Sequence, residues 1–274
     1  VAGGRPLDTK TDGRFSLGDS LLLPDGTVRP LSEEELRRAK VQAAVLRATQ
    51  RLVDSEGGSR LESAPFPPSP GELARLPAEQ RQDAFTKVDG QIWVQRHHPR
   101  HGWTWIAHPS LSPSLAVDRI FARPQDYRVS GRIFADLVFL GALRQLWTRD
   151  RFDAHFRKMG GLKISENYDH PALAELLEVS GSSTKEAPEG HAPQLGDQVF
   201  VRNWEVKASE RALFGGARLF PQPDGSLVGL GFGRTSMEDV NYSLDTRARF
   251  SANRYSSLTT QVRRLDPSVA DPRR

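Results

Sequence analysis

Between Gly131 and Trp147 the chain is apolar on more than one helical face. Ile133, Phe134, Leu137, Val138, Leu140, Leu143 and Leu146 spread around a 3.6-residue period instead of forming one stripe. A helix that is apolar on several sides must be packed on several sides. The spacing therefore predicts a central helix over residues 131–147, with the remaining elements arranged around it. Asp136 lies inside this segment, and a carboxylate there must be hydrogen-bonded, paired or at the rim. Arg132, four residues earlier, is its expected partner along the helix.

The segments around it read as a mixture of helices and strands. Leu21–Leu23 before Pro24-Asp25-Gly26 suggests a small hairpin. Ser32 and Glu35 form a capping box opening a helix over 32–54, and Glu56-Gly57-Gly58 stops it. Residues 59–71 are proline-rich and cannot be helix interior; they read as a linker or a draped segment. Residues 91–108 read as a hairpin, with Ile92, Val94, Trp103 and Trp105 on alternating positions and a turn at 98–102. Asp150 is the expected cap of a helix over 151–158, ended by Gly160-Gly161, and Pro171 opens a short helix to 178. Residues 180–193 read as a surface loop. Strands are expected at 196–203, 218–220 and 227–232, with Pro223-Asp224-Gly225 turning between the last two. The arginine-rich end, 247–274, is expected to fray over its last ten residues. Three regions follow: an N-terminal extension (1–120), a core (121–245) and a basic C-terminal segment (246–274).

The chain has no cysteine in 274 residues. Disulfides, thiolate nucleophiles and thiolate metal sites are excluded together. A core of this size needs no disulfides, so the count does not separate a secreted from a cytoplasmic protein. With 37% apolar and 26% charged residues the composition is that of a globular chain, not a disordered one. No run approaches the ~20 apolar residues that span a bilayer. No signal-peptide pattern is read, and Val1-Ala2-Gly3-Gly4 is equally compatible with the scar of a removed leader or tag. A net charge of +4 falls short of the dense basic patches of nucleic-acid binders.

Three motifs, and a segment that follows the third, carry a resemblance. Tyr127-Arg128-Val129-Ser130-Gly131 runs directly into the apolar helix. Arg151-Phe152-Asp153-Ala154-His155-Phe156 follows it. Then comes Leu195-Gly196-Asp197-Gln198-Val199-Phe200-Val201-Arg202-Asn203, and after it Leu227-Val228-Gly229-Leu230-Gly231-Phe232-Gly233. In order and spacing, residues 127–233 resemble the protein-glutamine gamma-glutamyltransferase family of spore-forming bacteria. The resemblance implies an α+β, papain-like fold with a central apolar helix on an antiparallel sheet. It also implies linkage of glutamine side chains to lysine amines, through a thiolate at the head of the buried helix. A helix N-terminus favours that negative charge, and a basic partner takes the proton.

Carried over, the nucleophile position is Gly131 and the acid before it is Ser130. A second carboxylate falls near Gly216, and the histidine position falls on Leu230. All four departures remove chemistry, which points to a degenerate relative. Ser130 is a candidate replacement nucleophile, but its matching base position is apolar, and an N-cap explains it more simply. Other candidates lie outside this set. Asp169 and His170, with His155, suggest an acid–base or metal site, against a plain reading as a polar loop before a helix. His97, His98, His101 and His108 with Trp93, Trp103 and Trp105 suggest a peptide- or sugar-binding surface, or zinc, against ordinary core tryptophans and solvated turn histidines. No metal or cofactor is assigned. The expected role is a non-catalytic recognition or accessory factor with another protein or peptide as partner. The alternatives are an enzyme with a displaced site (hydrolase, acyltransferase or secreted toxin) and a structural or assembly component.

Overall fold

The computed structural model describes residues 20–22, 28–53, 60–63, 74–75, 87–98, 102–165, 170–180, 193–203, 216–247 and 257–272. A hairpin β1 (Ser20–Leu22) and β2 (Val28–Pro30) leads to α1 (Glu33–Leu52). Ser32 caps α1 and Glu35 returns the bond, completing the capping box. β3 (Glu62–Ser63) pairs in parallel with β6 (Arg128–Val129). β4 (Trp93–His98) and β5 (Gly102–Ala107) form an antiparallel pair, and β7 (Lys163–Ser165) adds to β5. Helices α2 (Pro113–Ala122), α3 (Gly131–Leu146), α4 (Arg149–Lys158) and α5 (Pro171–Ala174) lie among these strands in sequence.

The remaining strands are β8 (Leu177–Ser180), β9 (Gln198–Asn203), β10 (Gly216–Pro221), β11 (Leu227–Gly229), β12 (Gly233–Thr235) and β13 (Ser257–Leu265). They build one antiparallel sheet in the order β12-β11-β10-β9-β13-β8. Helix α6 (Met237–Arg247) follows β12.

The apolar segment is the centre of the fold. Every residue of α3 from 133 to 143 is buried. Burying a large apolar side chain contributes roughly 1.5–3 kcal/mol, so this helix dominates the core. Phe134 and Phe139 meet Phe220 of β10 edge-on at 6.1 and 5.8 Å. Gly141 lets α2 approach closely, since a Cβ there would collide with the Phe121 ring. α1, the β4–β5 hairpin, α4 and the end of the chain contribute to the same apolar cluster. Alternate residues of the sheet face the other way: Val199, Val201, Ala217, Leu219 and Val262 join Val240 and Leu244 of α6 in a second cluster.

Several sequence expectations are corrected. The buried face of β4 carries Trp93, not Val94: Trp93 and Trp105 are 1% and 0% exposed. Each alternating set in β4 begins with one apolar residue, Trp93 or Val94, and goes on with polar ones, so periodicity alone does not choose between them. The register Gln95↔Trp105 does, placing Trp93 and Trp105 on one face. Thr148, not Asp150, caps α4, accepting from the Arg151 amide at 3.3 Å. The helix after Pro171 stops at Ala174, because Leu177 enters the sheet opposite Leu265. The strand expected over 227–232 breaks after Gly229, and Gly231 turns the chain with φ +77. The end does not fray through residue 272. Leu265 and Val269 are buried, and Trp147 Nε1 donates to Val269 O at 2.7 Å. Residues 64–70 and 181–192, read as linker and loop, lie outside the described residues.

Candidate functional site

The head of α3 is built by a short run of constrained backbone. A 3-10 turn (Pro124–Asp126) delivers Tyr127 into the core, fully buried. β6 then pairs with β3, and Ser130 begins the helix as N-cap. Its hydroxyl accepts from the Ile133 amide at 3.3 Å and its carbonyl from the Phe134 amide at 2.9 Å. The simple reading of Ser130 describes this geometry. Ser130→Ala is expected to lower stability by about 1 kcal/mol in urea denaturation; an effect several times larger contradicts a capping role.

Gly131 is the first residue of α3. A Cβ built on it would meet no other heavy atom within 4 Å. The position has room for a side chain and has none. Gly216 differs. Its φ is +154, and a Cβ there would collide with the Val201 carbonyl and the Phe200 ring. β10 approaches β9 too closely at this point for a carboxylate-bearing residue to keep the same backbone. Leu230 is 7% exposed and belongs to the central apolar cluster.

Next to these positions lies a buried charge network that sequence reasoning saw only in part. Asp136 is 2% exposed and Arg263 1%. Arg263 Nη2 donates to Asp136 Oδ1 at 3.0 Å, and its guanidinium sits 5.5 Å from the Phe139 ring centroid. Arg132 is the weaker partner, with Nε 3.5 Å from Oδ2. Gln198 Oε1 accepts from Arg218 at 3.2 Å and from Arg263 at 3.4 Å. The interface between α3 and the sheet is thus polar at one point. Arg263 stands 127 residues from Asp136, and nothing local in the sequence signals the pair. Nearby, Asp197 accepts from the Gln194 amide at 2.9 Å and from Arg264 at 2.8 Å, fixing the turn into β9.

In the second cluster of candidates, the two histidines meet at one residue, Ala172. Asp169 lies outside the described residues. His170 is 6% exposed and caps α5, its Nδ1 accepting from the Ala172 amide at 3.2 Å. His155 Nε2 donates to the Ala172 carbonyl at 2.7 Å. Two imidazoles therefore clamp the backbone of one residue. Among the described residues no group of three His, Asp or Glu side chains is placed to hold a metal.

Burial, with Lys163 and His155 nearby, pushes the His170 pKa down to about 4 from 6.5. The folded state favours the neutral ring, which is the form that can accept the amide. This contribution is complete above pH 6.5 and is lost as pH falls toward 4. By about pH 4.5 roughly 2–3 kcal/mol of it has been lost. His170→Asn, which keeps an acceptor without a titrating ring, is expected to flatten the acid limb of a stability–pH curve. An unchanged limb would assign acid sensitivity to other groups.

The aromatic surface is also corrected. Trp93 and Trp105 pack on each other at 5.9 Å, and Trp105 on Tyr127 at 6.2 Å, inside the core. They have no face for a ligand. Trp103 is half-buried, edge-on to His97 at 5.3 Å. The side chain of His98 and all of His101 lie outside the described residues.

A buried helix packed on an antiparallel sheet makes a mixed α/β architecture, consistent with a papain- or transglutaminase-like core. In agreement, the fold is similar to that of a transglutaminase from Geobacillus stearothermophilus, solved without its C-terminal extension. The TM-score is 0.64 at 18% identity, covering 88% of this chain and 97% of that one. The match is too long to fall within residues 127–233 alone, so it reaches into the N-terminal 120 residues, where the sequence offered no motif. No family model matches the chain. No curated protein matches it either.

Proposed function

We propose that this chain is a catalytically degenerate relative of the transglutaminases, acting by recognition of another protein or peptide as a binding or accessory factor. One observation carries the reading. The residue that begins the buried helix is Gly131, with open space where a nucleophile would project, in a chain without any cysteine. The other assigned positions support it, since Gly216 is sterically committed to glycine and Leu230 to the core. Ser130 spends its hydroxyl on the helix, and the imidazoles of His155 and His170 spend a ring nitrogen each on Ala172. A scaffold that keeps its packing and loses its chemistry can still use its surface for recognition.

The test is incorporation of a labelled primary amine into a glutamine-containing protein, followed with the wild type and Ser130→Ala. Neither is expected to incorporate amine above a protein-free control. Incorporation by the wild type that Ser130→Ala abolishes, with the fold intact, would replace this reading with a displaced-nucleophile enzyme.

A further inference from the structure

The two halves of α1 treat charge differently. In the first half Arg37 and Arg38 each pair with the glutamate one turn earlier, Glu33 and Glu34, at 3.2 Å. After Glu35 the helix has no carboxylate. Arg47 and Arg51 nevertheless project from it one turn apart, both exposed. Neither has a carboxylate partner among the described residues. Arg47 Nε donates to the neutral Gln145 Oε1 at 2.8 Å, and Gln145 is tied to the carbonyls of Ala44 and Gly141 at 3.3 Å each. Arg51 lies 4.9 Å from the Phe121 ring centroid. Both guanidiniums are steadied by neutral groups and keep their charge for another partner. A fork held in this way loses little freedom when it meets a carboxylate.

The surface continues across the end of α3, which has no carboxylate after Asp136. Arg144 donates to both oxygens of Asp118 of α2, at 3.1 and 3.0 Å. Arg149 meets the same Asp118 at 3.4 Å, with its side chain 70% exposed. It is the first residue of α4, where the helix dipole disfavours a cation, so helix stability does not account for it. Asp150, one position on, pairs with none of these arginines among the described residues. Phe121 under Arg51 and Asp118 under Arg144 are one turn apart on α2, which joins the four arginines into one surface. Leu115, one turn before Asp118 on the same helix, is 43% exposed.

We propose that this surface binds an acidic segment of a partner protein, one that alternates carboxylates with apolar side chains. The carboxylates meet Arg47, Arg51 and Arg149, and an apolar side chain meets Leu115. Complementary charge sets register and association rate more than raw affinity, and it weakens with salt. A nucleic-acid backbone fits less well. Its evenly spaced phosphates run against Asp118, whereas side-chain carboxylates can be spaced around it. The proposal rests on the recognition reading above for its choice of a protein partner. It uses none of Ser130, Gly131, Gly216 or Leu230, so the amine-incorporation test and the binding test fail separately.

A fluorescein-labelled peptide of repeating Glu-Glu-Leu is titrated with the full chain and followed by fluorescence anisotropy. Its Lys-Lys-Leu counterpart and an oligouridylate of the same net charge are the comparisons. Saturable binding of the acidic peptide is expected, weakening as salt is raised, with weaker binding of the oligouridylate and none of the basic peptide. Arg47→Glu with Arg51→Glu is expected to weaken binding by at least about thirtyfold with an unchanged circular dichroism spectrum, since both side chains are exposed. Arg157→Glu with Lys158→Glu makes the same change of net charge on exposed residues at the far end of α4, and is expected to weaken it less than about threefold. Four results would each overturn the proposal: no saturable binding up to about 1 mM, equal binding of the basic peptide, tighter binding of the oligouridylate, or equal losses in the two double variants.

Discussion

Replacing Asp136 by alanine is expected to destabilise the protein by about 3–5 kcal/mol, because it removes the carboxylate to which the buried Arg263 donates. Both side chains are almost fully buried, and the bond between them is 3.0 Å. Gln198 also accepts from Arg263, but a neutral amide offsets only part of a buried charge. The remaining cost is that of a buried guanidinium that has lost its carboxylate, between α3 and the sheet. The paired replacement Asp136→Leu with Arg263→Met removes both charges and is expected to recover most of the loss, since a buried pair adds little beyond an apolar pair of similar volume. Urea midpoints and slopes of the two single variants and the double variant check this. Additive losses in the double variant would mean that the two residues do not act on each other.

Trp105→Ala is expected to cost a similar amount, about 3–5 kcal/mol, through the cavity left among Trp93, Tyr127 and the base of α3. This result separates the two readings of the hairpin. A tryptophan that serves a ligand can be removed with small effect on stability and a large one on affinity. A tryptophan at 0% exposure inside the central cluster does the reverse. Thermal unfolding of Trp105→Ala beside Trp103→Ala, whose ring is half-buried, decides between them. A Trp103 variant as unstable as the Trp105 variant would contradict the placement of the rings.

What was legible in the sequence is what depends on local chemistry. The Ser32–Glu35 capping box needs only four adjacent residues, and it forms. The apolar density of 131–147 forces a central helix, and α3 is buried along its middle. The Pro223-Asp224-Gly225 turn follows from backbone preference, with Ser226 bonding back to Asp224. The illegible parts depend on partners far along the chain. Leu177 leaves its helix for a strand because Leu265 is there to pair with it. The face of β4 is chosen by Trp105 across the hairpin. Asp136 showed a local partner, Arg132, while the closer contact comes from β13. For the site, the missing thiol and the N-cap role of Ser130 were readable residue by residue. The steric demand for glycine at 216 was not, since it comes from the approach of β9.

On the proposed reading, the head of α3 forms no acyl intermediate. Intact-mass spectrometry after incubation with a reactive glutamine-type acyl donor tests it directly. The wild-type mass is expected to stay unchanged over the time in which a cysteine-bearing transglutaminase is fully acylated. A stoichiometric acyl adduct mapped to Ser130, or to any side chain packed against the head of α3, would contradict it.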